Sequence, residues 1–123
     1  MLKTLIAAAF LLAALPGLAH AHAAMVKSTP GARASLSQMP PQIELCFNEA
    51  VELKFSSIQI TDSKNTPLKL DALTLGGTPK CLAAKLPAAG PGVYTVQFRV
   101  LSLDGHVVKS SYQFTVKPEQ TPK

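Results

Sequence analysis

The sequence predicts an all-β fold, a Greek-key β-sandwich or flattened barrel of about seven strands. Apolar residues alternate with polar ones over most of the chain, and no stretch of a dozen residues carries a helical apolar stripe. Clusters of Pro, Gly, Asn and Asp interrupt the alternation at short intervals, as turns between short strands do. Two packed sheets are expected, because one sheet alone could not bury both of its apolar faces.

Three strands are predicted before residue 90. In the first of them Ile43, Leu45 and Phe47 share one face, because successive side chains of a strand point to opposite sides. The three strands cover residues 42–47, 57–61 and 81–86, and turn residues stand at 29–31, 39–41, 62–67, 76–79 and 87–92.

Two further strands near the end of the chain are predicted to be central. Residues 92–100 form the longest alternation, and Tyr112, Phe114 and Val116 repeat its pattern. Tyr94 lies at the start of the long strand, where a sandwich often uses a Tyr hydroxyl to fix a corner, so a structural role is expected. Residues 118–123 are polar and contain two prolines, which predicts a frayed tail.

The first 21 residues have the organisation of a secretory signal peptide. Lys3 provides the positive start, residues 5–15 are an unbroken apolar run, and Ala19-His20-Ala21 is a small-residue cleavage site. The apolar run is shorter than the ~20 residues that span a bilayer, so no membrane span is expected after processing. Cleavage after Ala21 would leave an exported domain, residues 22–117, with His22 at its start.

Length and composition exclude several classes of protein. The chain has 123 residues, enough for one domain, and its 47% hydrophobic content is too high for a disordered chain. The net charge of +5 includes lysines spread singly along the sequence, so a nucleic-acid-binding patch is not expected. With no Trp, there is also little material for an aromatic platform that stacks on sugars or bases.

Cys46 and Cys81 are the two cysteines of the chain, and an oxidising compartment favours a disulfide between them. The chain-entropy model gives such a bridge roughly 3–4 kcal/mol of stabilisation. The alternative is a thiolate site for Cu(I), which would require both sulfurs to stay reduced. No Cys-x-x-Cys motif or methionine cluster accompanies them, so the disulfide is the favoured interpretation.

Two histidines of the processed chain, His22 and His106, stand in unusual positions. As the first residue, His22 would offer its α-amine and its imidazole Nδ1 to one metal ion, which an internal His cannot do. Asp104 and His106 are two residues apart, so an extended stretch at 103–107 would place both side chains on one face. These nitrogen and oxygen donors suit tetragonal Cu(II).

A structural explanation of each feature stays open at this point. An N-terminal His can be an accident of the cleavage site. Asp104-Gly105 is also a common turn dipeptide, and His106 then merely follows it.

Three segments of the chain resemble the periplasmic copper-resistance CopC family. The processed chain would begin with His22-Ala23, as the family's mature proteins do. Residues 45–51, Leu-Cys-Phe-Asn-Glu-Ala-Val, are similar to the family's L-x-F-x-E-x-V. Residues 102–106, Ser-Leu-Asp-Gly-His, are similar to its S-x-D-G-H stretch before a final strand.

The resemblance implies a cupredoxin-like or immunoglobulin-like sandwich with one Cu(II) site per chain. Its ligands would be the amine and imidazole of His22, Asp104 and His106, and Glu49 would support a ligand imidazole from outside the coordination shell. Some family members have a second, Met-rich Cu(I) site, and this chain departs from them, since Met25 and Met39 are far apart.

The function implied is that of a monomeric periplasmic Cu(II)-binding protein, not an enzyme, that sequesters copper or delivers it to an inner-membrane copper transporter. One alternative is a copper-dependent oxidase of the N-terminal-His type, although the anionic Asp104 would oppose the reduction to Cu(I) that such enzymes need. The other alternative is a secreted β-sandwich adaptor without metal.

Overall fold

The structure is a computed structural model, and it describes residues 23–119. The predicted signal peptide, His22 and the end of the tail therefore lie outside the described residues, and the domain boundaries stay predictions. No helix in the described part of the chain is long and apolar enough to cross a bilayer. The strands of this part are β1 Met25–Thr29, β2 Ser35–Leu36, β3 Gln42–Phe47, β4 Ser57–Thr61, β5 Thr74–Leu75, β6 Cys81–Lys85, β7 Gly92–Leu101 and β8 Val107–Val116, with a 3-10 helix at Leu53–Phe55.

Two four-stranded sheets pack face to face, which confirms the predicted β-sandwich. Their strand orders are β1-β3-β6-β5 and β2-β8-β7-β4. The pairs are antiparallel except for β2 and β8, which are parallel. Five of these strands were located from the sequence, and β1, β2 and β5 were not. All three lie at sheet edges, and β2 and β5 have only two residues each.

The core lies between the sheets and consists of the residues that the period-two pattern placed on one face. Ile43, Leu45 and Phe47 of β3 are at most 2% exposed. They pack against the inward residues of β7, and the rings of Phe47 and Phe98 meet edge to face with centroids 5.9 Å apart. The long β7–β8 hairpin is thereby fixed on the core, and the loop at its tip has a rigid base.

Tyr94 has the predicted structural role at the opposite end of β7. Its hydroxyl donates a hydrogen bond to the carbonyl of Gly90 at 2.5 Å, and its ring stacks on Phe114 with centroids 5.5 Å apart. Burial raises the pKa of this phenol above its ordinary value. The side chain therefore closes a corner of the sandwich.

Cys46 and Cys81 are joined by a disulfide with an S–S distance of 2.13 Å, as predicted. The two residues lie directly opposite each other in the β3–β6 register, so the bond links neighbouring strands. Neither cysteine has a free thiol, so the alternative interpretation, a thiolate site for Cu(I), is wrong for the disulfide-bonded protein.

Candidate metal centre

The loop between β7 and β8, residues 102–106, carries the predicted ligands Asp104 and His106. The sequence analysis assumed that residues 103–107 are extended, and this is wrong. Residues 103–105 form a tight turn in which Gly105 has a φ of 90°, a conformation that residues with a Cβ rarely adopt. The turn is closed by hydrogen bonds from the Gly105 amide to the Ser102 carbonyl and from the Ser102 amide to the His106 carbonyl, each 2.9 Å.

Asp104 and His106 nevertheless come together, because the turn folds one side chain onto the other. Oδ2 of Asp104 lies 2.9 Å from Nδ1 of His106. The side chains are 39% and 45% exposed, so an ion from solvent can reach both. The expected convergence of a carboxylate and an imidazole is therefore present, although a turn produces it and a strand does not.

Ser102 holds this pair in place and was given no role from the sequence. It is 2% exposed and the one buried polar residue among those described. Its hydroxyl donates a short hydrogen bond to Oδ1 of Asp104 and accepts one from the backbone amide of His106 at 3.1 Å. The signal in the sequence was a Ser two residues before the Asp, but only the fold shows that the hydroxyl points inward.

The surroundings of Asp104 stabilise its charged form. Hydrogen bonds from Ser102, His106 and Glu49 hold the pKa of the Asp104 carboxyl far below its ordinary value, and the bond from Ser102 is the strongest of the three causes. The loop therefore presents a carboxylate, the form that binds cations, at any pH at which the protein is expected to work.

Glu49 lies beside Asp104 and shares a hydrogen bond with it. The hydrogen bond and the nearby negative charge raise the pKa of the Glu49 carboxyl, since only a protonated Glu49 can donate to the Asp104 carboxylate. Glu49 was expected to support an imidazole directly. In the structure its hydrogen bond is to Asp104, which in turn contacts the imidazole of His106.

The start of the described chain is fixed at this same end of the sandwich. The Ala24 amide donates to Oδ1 of Asn48 at 2.7 Å, and the Asn48 amide donates to the Ala24 carbonyl at 3.0 Å. Two residues further on, the carbonyl of Ala50 accepts from the amide of Leu103 at 3.0 Å. The 48–50 segment therefore links the beginning of the domain to the Asp104 loop.

The third predicted ligand, His22, lies outside the described residues. Its neighbour Ala23 is buried at 7% exposure. The next residue, Ala24, is held by its two hydrogen bonds with Asn48, which we call the Asn48 clamp. Asn48 was not singled out from the sequence, because its role depends on a contact with Ala24, which is 24 residues away in the sequence.

The Asp104–His106 pair has the spacing of two ligands on one metal ion. Oxygen and nitrogen ligands lie about 2.0–2.2 Å from a transition metal, so two of them at a right angle are about 2.8–3.1 Å apart. The observed 2.9 Å between Oδ2 and Nδ1 fits this separation. The same distance is that of the hydrogen bond which the two atoms now share, so the pair brings both donor atoms close enough for one ion.

A second group of metal-binding residue types, Glu44 with Cys46 and Cys81, does not form a comparable site. The three side chains lie within 4.8 Å of one another, but the two sulfurs are bonded to each other and offer no thiolate. Gly76 packs over this group, and a Cβ there would lie 2.8 Å from Oε2 of Glu44. The disulfide and its cover are structural.

Comparison with known proteins places this chain in one family. Residues 25–117 match the family model described as the CopC domain. Protein YobA of Escherichia coli K12 is 40% identical over 99 residues, covering 79% of this chain and 80% of YobA. Copper resistance protein C of Pseudomonas syringae pv. tomato is 35% identical, and the alignment covers 93% of each chain.

A solved structure shows the same sandwich. The crystal structure of CopC from Methylosinus trichosporium OB3b superposes with a TM-score of 0.75 at 34% sequence identity. The match covers 83% of this chain and all of the other. The similarity of fold therefore extends over most of this chain.

Proposed function

This chain belongs to the CopC family, and we propose from that premise that it is a periplasmic Cu(II)-binding protein. Proteins of this family are copper-binding and copper-resistance proteins and not enzymes, which confirms the expectation that the chain has no catalytic role. Copper is the cargo in this proposal. The protein sequesters the ion or passes it to a partner.

The proposed site consists of the α-amine and imidazole of His22 with Asp104 and His106, and it holds one ion per chain. The observation that supports it best is the 2.9 Å contact between Asp104 and His106, made at the end of the sandwich where the described chain begins. Ser102 and Glu49 keep the carboxylate charged and oriented. Nitrogen and oxygen donors of this kind favour Cu(II) among the divalent ions.

The sulfur chemistry of the chain supports Cu(II) over Cu(I). Cu(I) prefers thiolate and thioether ligands, but both cysteines are in the disulfide. Met25 and Met39 are partly buried and pack against the hydrophobic core. Among the described residues there is no methionine cluster on the surface.

The periplasm is the proposed location, for two reasons. The disulfide is a bond that persists in oxidising compartments, and residues 1–21 have the pattern of a cleaved signal peptide. A protein that holds an exchangeable ion there would work as a monomer and could deliver the ion to an inner-membrane copper transporter.

Copper titration of protein whose first residue is verified as His22 tests the proposal. We expect one tightly bound equivalent and an electron paramagnetic resonance spectrum with nitrogen hyperfine structure. His106→Gln should remove one nitrogen from that spectrum. Asp71→Asn, which changes an exposed carboxylate away from the loop, is the matched control and should change nothing. Two tight equivalents, or a spectrum without nitrogen, would contradict the single site.

A further inference from the structure

Where β4, β7 and β8 all pair, the outer face of their sheet is polar and has no carboxylate. Apolar residues, Val93 at one end and Leu101 and Val107 at the other, flank this polar part. The strand registers place three rows of side chains on it, each row crossing β4, β7 and β8. These rows are Ser57-Arg99-Lys109, Gln59-Gln97-Ser111 and Thr61-Thr95-Gln113. The face therefore has many hydrogen-bonding groups, and both of its charges are positive.

Arg99 and Lys109 lie directly opposite each other on neighbouring strands. Like charges in opposed positions destabilise a sheet, so an unpaired cationic pair costs the fold some stability. Neither residue has an acidic partner, since the one ion pair found within residues 23–119 joins Asp104 and His106. Arg99 donates instead to the carbonyl of Phe55 at 3.4 Å.

The same two cations line an open groove of about 640 Å³. The rest of its lining is mainly outer-face residues with amide and hydroxyl side chains, namely Ser57, Gln59, Gln97 and Ser111. Phe98 and Ser110, at the alternate positions of β7 and β8, complete it. Amides and hydroxyls both donate and accept hydrogen bonds, so they can pair with the backbone of an extended peptide. An anion between Arg99 and Lys109 would remove their mutual repulsion.

We propose that this groove docks an extended acidic segment of a protein partner. Its carboxylates bind Arg99 and Lys109, and its backbone pairs with the Gln and Ser side chains. Charge complementarity selects the partner, because the two cations have no intramolecular counter-ion in the described chain. A groove that crosses three strands and opens to solvent suits a chain better than an enclosed small molecule.

The groove lies close to the proposed copper site. Lys109 follows His106 by three residues in β8, a distance of about 10 Å along a strand. A partner held by Lys109 and Arg99 would therefore stand beside the Asp104 loop, in position to receive the ion. This last step rests on the proposed function, whereas the docking itself does not require copper.

Fluorescence anisotropy with metal-free protein tests the docking. The probe is a labelled peptide of about ten residues in which Glu and Ser alternate, at low ionic strength. We expect Arg99→Gln with Lys109→Gln to weaken binding about tenfold or more. Lys64→Gln with Lys69→Gln removes the same charge from exposed positions beyond the far end of β4, and should weaken it less than about twofold.

Amide chemical-shift mapping of the unaltered protein gives a second, independent measurement. Peptide should shift the amides of Gln59, Gln97 and Ser111 before others. Equal losses of peptide affinity in the two double variants would overturn the proposal, and so would chemical-shift changes centred elsewhere. Displacement of the peptide by free glutamate at matched carboxylate concentration would also overturn it. Copper stoichiometry is measured in parallel, because it should be unchanged by Arg99→Gln with Lys109→Gln and reports only on the copper site.

Discussion

At the scale of single residues, the candidate site depends on how a turn surrounds one carboxylate. The spacing of Asp104 and His106 was enough to select both from the sequence, but the reason given for it was wrong, since Gly105 reverses the chain between them. Ser102 and Asn48 could not be selected in this way. Their roles come from the inward direction of one hydroxyl and from a backbone contact 24 residues away, and neither leaves a local pattern.

Asp104→Asn removes the negative charge of the site and keeps its shape. We expect the Cu(II) affinity to fall by about 10–100-fold or more, because an amide is a weaker ligand and no longer attracts the cation. Thermal stability should change far less, since the side chain is exposed. Competition with a chelator of known affinity measures the first effect, and Asp71→Asn is the control. An unchanged affinity would remove Asp104 from the site.

Tyr112 predicts that the free energy of unfolding decreases in alkaline solution, independently of the metal site. Burial raises the pKa of Tyr112 to about 12, and its hydroxyl donates to the carbonyl of Pro30 at 2.8 Å. A raised pKa means that the folded state holds the proton more tightly, so stability should fall as the pH rises from about 10 towards 12. Phenolate absorbance and denaturation measured over this range should agree.

Tyr112→Phe provides the comparison for that alkaline range. The variant loses the bond to Pro30, which typically contributes about 0.5–1.5 kcal/mol. Its stability should then decline less steeply above pH 10 than that of the unaltered protein. A phenolate signal that develops fully near pH 10 in the folded protein would show that Tyr112 is accessible to water.

At the scale of the strands, strand bounds were predicted most accurately where one face of the strand is buried. The bounds of β3 and β4 were predicted as observed, and β6 and β7 to within one residue. The prediction failed where pairing depends on tertiary contacts. β2 is a strand because it lies beside Thr115 and Val116, and β8 begins at Val107, in a part that is mostly exposed and shows no alternation.

The disulfide between β3 and β6 should stabilise the fold and leave copper binding intact. It closes a separation of 35 residues, for which the chain-entropy model gives about 3–4 kcal/mol. Denaturant unfolding of Cys46→Ala with Cys81→Ala should show a loss of this order. Copper stoichiometry should stay at one. A large loss of copper from the folded double variant would show that the bridge also shapes the site.

The cationic pair on β7 and β8 predicts a substitution that stabilises the fold. Lys109→Glu would face Arg99 across the strands and exchange a repulsion for an ion pair, a gain of about 0.2–1 kcal/mol. Thermal unfolding at low ionic strength should show it, and added salt should reduce it. The same variant should no longer bind the acidic peptide. A destabilised variant would mean that the two side chains do not repel each other in the native protein.

At the scale of the whole molecule, the fold brings together parts that are far apart in the sequence. The Asn48 clamp holds the first described residues against the 48–50 segment. That segment also contacts the Asp104 loop, so both parts lie at one end of the sandwich. Spacing cannot predict such a meeting, because the partners belong to both sheets. The family resemblance assigns His22, Asp104 and His106 to one ion, and that assignment stays a prediction.

The last prediction is that processing creates the site. Protein with even one extra residue before His22 should bind Cu(II) far more weakly than the processed chain, because an amide nitrogen shares its lone pair with the carbonyl and is no longer an amine donor. Affinity should also fall as the pH drops, since an α-amine with an ordinary pKa of about 7.7–8.0 must lose its proton to bind a metal. Asp104 adds nothing to this loss in mildly acidic solution, because its lowered pKa keeps it charged there. Competitive chelation of both forms, at neutral and mildly acidic pH, measures each effect, and equal affinities would show that the N-terminal amine is not a ligand.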